Sequence, residues 1–137
     1  ELGHKVYSTD LIDRGYGNGN IDFLKLDKLP YEDCQCILTN PPYKLASEVV
    51  LKSLDLLNDG GYCIMFLKTI FLEGKKRYDT IFSKNPPKYM FQFVKRVLCA
   101  KNAEFDRMIA GGGSAVSYAW YVWEKGYKGD TIVKWIE

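Results

Sequence analysis

The chain has 137 residues, enough for one domain with a hydrophobic core, and we expect a single domain over residues 1–137. Its balance of hydrophobic and charged residues is that of a soluble globular protein, and no apolar run approaches the ~20 residues that cross a membrane. No segment is typical of a signal peptide, so we expect a cytoplasmic protein without a membrane partner. The net charge of +2 is too small to indicate a polyanionic partner by itself.

Apolar runs with the length of a strand recur along the chain, and we expect strands near residues 5–9, 35–39, 62–67, 90–98, 115–124 and 131–136. Apolar residues at helical spacing from Ala46 to Leu57 predict an amphipathic helix, which Gly60 and Gly61 end. Strands that alternate with helices, followed by a closing antiparallel pair, indicate an α/β fold with a mostly parallel sheet. Ligands of such sheets bind beyond the carboxyl ends of the strands. Asp10 and Asn40 both follow predicted strands, so we expect them on the same edge of the sheet.

The histidines and cysteines form no pattern of a metal site or a catalytic triad. His4 is the only histidine, and Cys34 and Cys36 have no second pair of ligands at zinc spacing. We therefore expect no metal, and cysteine thiols that are reduced and buried.

Asn40, Pro41, Pro42 and Tyr43 directly follow the predicted strand at 35–39 and precede the amphipathic helix. In this position they resemble the catalytic motif of the Rossmann-like S-adenosylmethionine-dependent amino-methyltransferases, which is Asn, Asp or Ser followed by two prolines and an aromatic residue. Asn in the first place and Tyr in the last make the motif most similar to that of the DNA adenine-N6 methyltransferases. The resemblance implies a Rossmann-like sheet and transfer of a methyl group from S-adenosyl-L-methionine to an exocyclic amino nitrogen.

The chemistry of that reaction explains the residue types of the motif. The lone pair of an amino group on a base is delocalised into the ring, so the nitrogen is a poor nucleophile. The Asn40 side-chain oxygen and the Pro41 carbonyl can each accept one N–H, which localises the lone pair for attack on the sulfonium methyl. Pro41 and Pro42 fix the backbone, and Tyr43 offers a ring on which a flipped-out base stacks. Residues 85–88 repeat Asn-Pro-Pro before a strand and lack the aromatic residue, so we expect a simple turn there.

Three further positions match the family in the same order along the chain. The resemblance implies that Asp10 holds the ribose hydroxyls of the cofactor, that Asp22 accepts from its adenine amino group, and that Phe23 packs on the adenine ring. It also implies that Phe105, in the loop before the last strands, faces Tyr43 across the target base, although a core or surface Phe fits the sequence equally well.

The chain departs from the family at its front. The glycine-rich loop that holds the methionine end of the cofactor is absent, since the glycines from Gly15 to Gly19 open no helix. We therefore expect the first βα unit of the fold to be missing, and the chain alone to bind the cofactor weakly, to be inactive, or to pair with a second copy.

Three functions are compatible with these residues. The first is methylation of adenine N6 in DNA, and the second is methylation of an RNA base or of a protein glutamine, because both classes use the same motif. The third is a truncated domain without activity that binds DNA or a partner subunit. The basic cluster from Lys75 to Arg77 is compatible with phosphate contacts or with a solvated helix face.

Overall fold

The computed structural model describes residues 2–99 and 115–137, together with residues 106 and 109. Five strands form one sheet, and they are β1 Cys36–Thr39, β2 Tyr62–Lys68, β3 Tyr89–Phe93, β4 Tyr118–Glu124 and β5 Ile132–Ile136. Their order across the sheet is β1-β2-β4-β3-β5. The chain therefore has an α/β fold with a mixed sheet.

Four of the strands run in one direction, and β4 alone runs against them. β1 pairs with β2 and β3 with β5 in parallel, whereas β4 is antiparallel to both β2 and β3. The expected mostly parallel sheet is confirmed in this sense. The last two strands are not neighbours, however, because the start of β3 lies between them. The Lys88 N–H donates to the Val122 carbonyl at 2.8 Å, and the Lys88 carbonyl accepts from the Ile132 N–H at 3.0 Å.

The predicted amphipathic helix is α1, Ala46–Leu56. Its apolar stripe is buried, and Gly60, with a φ of 82°, turns the chain back toward β2. Within residues 2–99 the other helical segments are short: the 3-10 helices Phe23–Lys25, Tyr43–Leu45 and Thr69–Leu72, the single turn α2 Lys75–Arg77, and the π-helix Tyr78–Phe82.

The two faces of the sheet are covered to different extents. On one face, alternate residues of β2 and β4 are almost fully buried, and they form one core cluster with α1, Phe71 and Ile81. On the other face, Phe66 stacks on Tyr118 with 5.1 Å between ring centroids and meets Trp120 edge-on. These three rings are only half-buried. All buried apolar residues of the described helices belong to the first face, so those helices form a single layer.

The predicted first strand at residues 5–9 is wrong. Thr9 makes only an isolated bridge to Asn18. The segment packs instead on a loop side chain, since the Lys5 ammonium lies 3.7 Å from the centroid of the Tyr31 ring and Tyr7 meets the same ring edge-on. No sheet strand among the described residues pairs with residues 5–9, so their backbone forms no ladder.

The predicted strand at 90–98 is shorter than expected, since β3 ends at Phe93. Its pairing with β4 ends at Gln92 and Ala119, and the Val94 N–H still donates to the Ile136 carbonyl at 2.9 Å. After Val94 the chain leaves the sheet.

The two faces predict different costs for the same substitution. Leu67 on β2 is 2% exposed on the covered face, whereas Leu38 on β1 is 63% exposed on the other face. Leu67→Ala should lower the free energy of unfolding by about 2–5 kcal/mol, because it removes apolar contacts and leaves a cavity. Leu38→Ala should change it by no more than about 0.5 kcal/mol. Urea unfolding followed by tryptophan fluorescence measures both variants, and equal losses would contradict the assignment of the faces.

Candidate functional site

The Asn-Pro-Pro-Tyr motif lies at the carboxyl edge of the sheet, as its sequence position predicts. Asn40 comes directly after β1, whose last residue, Thr39, pairs with Met65 of β2. The same edge carries Lys68, the last residue of β2, and Tyr118, the first residue of the antiparallel β4, which pairs with it. Loops that leave several strand ends therefore meet where the motif begins.

The motif presents two hydrogen-bond acceptors that its own fold does not use. The Asn40 side chain is exposed and has no hydrogen-bond partner among the residues that the structure describes. The Pro42 carbonyl accepts from the Leu45 N–H at 2.9 Å, which starts the turn into α1. The Pro41 carbonyl accepts from no main-chain N–H in the described part of the chain, although the residue itself is buried. Neither the Asn40 amide oxygen nor the Pro41 carbonyl oxygen is thus used by the described fold.

Tyr43 presents a partly accessible ring next to these acceptors. Tyr43 is 41% exposed. Phe71 meets the ring edge-on, with 6.4 Å between centroids, and the Lys68 ammonium lies 4.9 Å from its centroid. Lys68 directly follows the strand predicted at 62–67, but no sequence motif marks it as a site residue.

The loop after β2 is held by Arg77. The Arg77 Nε donates to the Phe71 carbonyl at 2.7 Å, and its terminal nitrogen donates to the carbonyls of Ile70, at 3.5 Å, and Glu73. The guanidinium also lies over the Phe71 ring, 5.1 Å from its centroid. Lys75 pairs with Asp79. Much of the basic cluster at 75–77 therefore serves local structure, and Arg77 fixes the aromatic ring that supports Tyr43.

Asp10 organises the segment that follows it, residues 11–20. This segment, called the glycine-rich loop below, is not the cofactor loop of the family. One carboxylate oxygen accepts from the Ile12 N–H at 3.0 Å and the other from Arg14 Nε at 3.0 Å. The Ile12 hydrogen bond, and after it the Arg14 guanidinium, hold the pKa of Asp10 below its ordinary value. Because the strand at 5–9 is absent, Asp10 stands at the end of no sheet strand, contrary to expectation.

Asp22 and Phe23 lie beside Asp10 but are engaged in local contacts. The Ile21 N–H donates to the Asp10 carbonyl at 3.0 Å, which brings the two segments together. Asp22 caps the 3-10 helix by accepting from the Leu24 N–H at 3.1 Å, and Phe23 packs against the core cluster. The structure thus unites the three residues that the resemblance assigns to the cofactor.

The two carboxylates fit a role in holding a ribose and an adenine. Their side chains remain 40% exposed at Asp10 and 36% exposed at Asp22. A carboxylate has about four lone-pair sites, so each group can accept further hydrogen bonds besides those it already makes. Phe105, which the resemblance places against the target base, lies outside the described residues.

The second Asn-Pro-Pro sequence, predicted to be a simple turn, is an irregular segment with bends at Asn85 and Lys88. It precedes β3, and the Asn85 carbonyl accepts from Trp123 Nε1 at 3.0 Å. The Pro87 carbonyl accepts from the Thr131 hydroxyl at 2.7 Å, and Pro87 is fully buried. These main-chain contacts tie the start of β3 to β4 and to the segment before β5.

The cysteines are free, and their burial differs from the expectation. Cys63 is buried, which raises the pKa of its thiol to about 12, but Cys36 is exposed. Cys36 is exposed because it lies, like Leu38, on the less covered face of the sheet. Among the described residues, no group of three or more His, Cys, Asp or Glu side chains could hold a metal ion. No helix in the same residues is long and apolar enough to span a membrane.

No model of a known protein family matches this chain, and a search of curated proteins finds none that is similar to it.

The glycine-rich loop offers a matched pair of substitutions. Gly15 and Gly17 have φ values of 74° and 66°. A Cβ at Gly17 would lie 2.8 Å from the Ser8 carbonyl oxygen, whereas a Cβ at Gly15 meets nothing within 4 Å. Gly15→Ala should cost only the left-handed backbone penalty of about 1–2 kcal/mol. Gly17→Ala should in addition displace Ser8, whose carbonyl accepts from the Asn18 N–H at 2.8 Å.

Hydrogen exchange at the Asn18 amide measures the difference. We expect much faster exchange in Gly17→Ala than in Gly15→Ala. Equal exchange rates in the two variants would contradict the close approach of Gly17 to Ser8.

Proposed function

We propose that this chain is the catalytic domain of an S-adenosylmethionine-dependent methyltransferase, of the Rossmann-like class, that acts on an exocyclic amino nitrogen. Adenine N6 in DNA is the substrate that we favour. The observation that carries the proposal is the pair of unused acceptors, the Asn40 amide oxygen and the Pro41 carbonyl, at a strand's carboxyl end beside the accessible ring of Tyr43. A polar group left without a partner by the fold is available to a ligand.

The two acceptors suit an amino group with two N–H bonds. Each oxygen takes one N–H, so the lone pair of the nitrogen is drawn out of conjugation with the base. The backbone of Pro42 is extended, with φ −54° and ψ 131°, and proline holds φ near this value before any substrate binds. The main chain of the motif, which includes the Pro41 carbonyl, is thus restrained before the reaction.

Tyr43 suits a base that has left its stack. A base in a duplex must be flipped out before an enzyme can reach its amino group. Stacking on an aromatic side chain compensates part of that cost, by about 1–3 kcal/mol per base. Phe71 and Lys68 restrain the Tyr43 ring, which reduces the ordering needed when a base arrives.

S-adenosyl-L-methionine supplies the electrophilic methyl group when it is bound. Asp10 would accept hydrogen bonds from its ribose hydroxyls, Asp22 would accept from its adenine amino group, and Phe23 would pack on the adenine ring. The hydrogen bond between the Ile21 N–H and the Asp10 carbonyl supports this assignment, because it keeps the carboxylate segments adjacent. An RNA base or a protein glutamine would use Asn40 and Pro41 in the same way.

One observation favours a second function, a domain that binds DNA or a partner subunit without transferring a methyl group. The carboxylates of Asp10 and Asp22 both make local hydrogen bonds, so they are not reserved for a cofactor. A labelled methyl donor, offered with DNA, RNA and glutamine-containing peptides, separates the two functions. Labelled DNA supports the first, and the absence of labelled product with bound DNA supports the second.

The role of Asn40 is tested against a copy of the same tripeptide. Asn40→Ala should lower turnover by about 10²–10³ and leave cofactor affinity nearly unchanged, because it removes one preorganised acceptor. Asn85→Ala should leave turnover unchanged, since the contact from Trp123 is to the Asn85 main-chain carbonyl. Single-turnover transfer of labelled methyl measures both variants. Near-normal turnover in Asn40→Ala would remove the proposed role.

The role of Tyr43 is tested by strand binding. Tyr43→Ala should weaken binding of an adenine-containing single strand by about 1–3 kcal/mol, whereas Tyr43→Phe, which keeps the ring, should have a small effect. Tyr16, which is 80% exposed in the glycine-rich loop, provides the control Tyr16→Ala, for which we expect no change. Fluorescence anisotropy measures the affinities. A similar loss in the Phe variant would assign the effect to the hydroxyl and contradict stacking.

A further inference from the structure

Lys68 occupies a fixed position beside the motif. It is the last residue of β2, and its carbonyl accepts from the Tyr121 hydroxyl at 3.0 Å. The same hydroxyl is 3.1 Å from the Thr69 carbonyl, and Tyr121 is fully buried. The core therefore sets the backbone from which the Lys68 side chain extends.

The ammonium of Lys68 reaches the aromatic residue of the motif. It lies 4.9 Å from the centroid of the Tyr43 ring, within the range of a cation–π interaction. Phe71 packs on the same ring, with 6.4 Å between centroids. Tyr43 and Lys68 thus form one unit, with an aromatic ring and a positive charge close together.

The charge of Lys68 is not neutralised within the described part of the chain. No carboxylate there lies within 4.0 Å of its ammonium, whereas Lys25, Lys75 and Lys88 each pair with an acidic side chain. The neighbouring Arg77 donates to main-chain carbonyls, which are neutral, so its charge also remains. Two cations, Lys68 at Tyr43 and Arg77 at the neighbouring Phe71, therefore make no ion pair within the described residues.

We infer that Lys68 is a substrate-positioning residue that binds a phosphate of a polynucleotide next to the base that stacks on Tyr43. A nucleotide carries its base and its phosphate on the same sugar, so a ring and an ammonium this close can hold both parts of one nucleotide. The inference rests on the proposed function. It narrows the acceptor to a base within a nucleic acid strand and excludes a protein glutamine, which brings no phosphate.

The test measures salt dependence, which reports phosphate contacts and does not require methyl transfer. For a single strand, the logarithm of the binding constant falls with the logarithm of salt concentration by a slope of about −0.7 for each neutralised phosphate. Fluorescence anisotropy with a labelled adenine-containing strand gives this slope for the whole chain. Lys68→Met should reduce its magnitude by about 0.7, and Lys68→Arg should retain it. Lys28, an exposed lysine that is not part of the Tyr43 and Lys68 unit, provides the control Lys28→Met, which should keep the slope.

A second measurement separates a phosphate contact from a structural role. Lys68→Met should lower the affinity for adenosine, which has no phosphate, much less than the affinity for the strand, and the thermal unfolding midpoint should change little. An unchanged salt slope in Lys68→Met would overturn the role of Lys68 and leave the proposed methyl transfer to the Asn40 test. Failure of the unmodified chain to bind any strand would overturn the choice of a polynucleotide. Transfer to a glutamine peptide that falls in Lys68→Met as much as transfer to DNA would also overturn it.

Discussion

The antiparallel strand β4 is the constraint on which the rest of the structure depends. It pairs along its whole length with β2, from Tyr118 with Lys68 to Glu124 with Tyr62, and on its other side with β3. Its buried rings Tyr121 and Trp123 stack with 5.7 Å between centroids. Burial is the main cause that raises the pKa of Tyr121, so its hydroxyl stays protonated and donates.

The Tyr121 hydroxyl connects β4 to the candidate site. Tyr121 satisfies the carbonyls of Lys68 and Thr69, where the chain leaves β2 and enters the loop that contains Phe71. Phe71 supports the ring of Tyr43, and Lys68 lies over it. The geometry around the motif is therefore set by β4, whose Tyr121 comes 53 residues after Lys68 in the chain. These contacts depend on the pairing of β4 with β2.

The strands of the sheet could be predicted because their apolar runs are local, but their neighbours could not. Five of the six predicted strands are present, and the sequence predicts that the last two form an antiparallel pair, which the short turn at 125–130 would connect. That turn spans β3 instead, because the main chain of Lys88 bonds to Val122 on one side and to Ile132 on the other. Which strand lies between two others depends on contacts between residues that are distant in sequence, so the local pattern does not reveal it. The strand predicted at 5–9 is absent for a related reason. Lys5 and Tyr7 contact the ring of Tyr31, and no described strand lies alongside the segment.

The candidate site was predictable to the extent that it rests on the motif itself. Asn40 could be placed because a strand end, two prolines and a following helix are all visible in sequence. The roles of Lys68 and Arg77 could not be predicted, because they depend on which groups the folded chain places next to each side chain. Arg77 meets the carbonyls of its own loop, whereas Lys68 meets an aromatic ring and no carboxylate of the described chain.

The two edges of the sheet differ in how far the described residues satisfy their polar groups. At the amino edge, Glu124 accepts from Lys88 at 2.9 Å and from the Tyr62 hydroxyl at 3.0 Å. Lys88, and after it Tyr62, lowers the pKa of Glu124, and Glu124 in turn raises the pKa of Lys88, so both groups stay charged and bound to each other.

At the carboxyl edge, the Asn40 amide and the Lys68 ammonium have no such polar partners among the described residues. The amino edge uses its charges to fix the register of three strands, β2, β4 and β3. At the carboxyl edge the Asn40 acceptor is left to the solvent, and the Lys68 cation contacts the Tyr43 ring. Under the proposed function these are the two groups that a substrate would contact, at the end of the sheet where ligands of α/β proteins commonly bind.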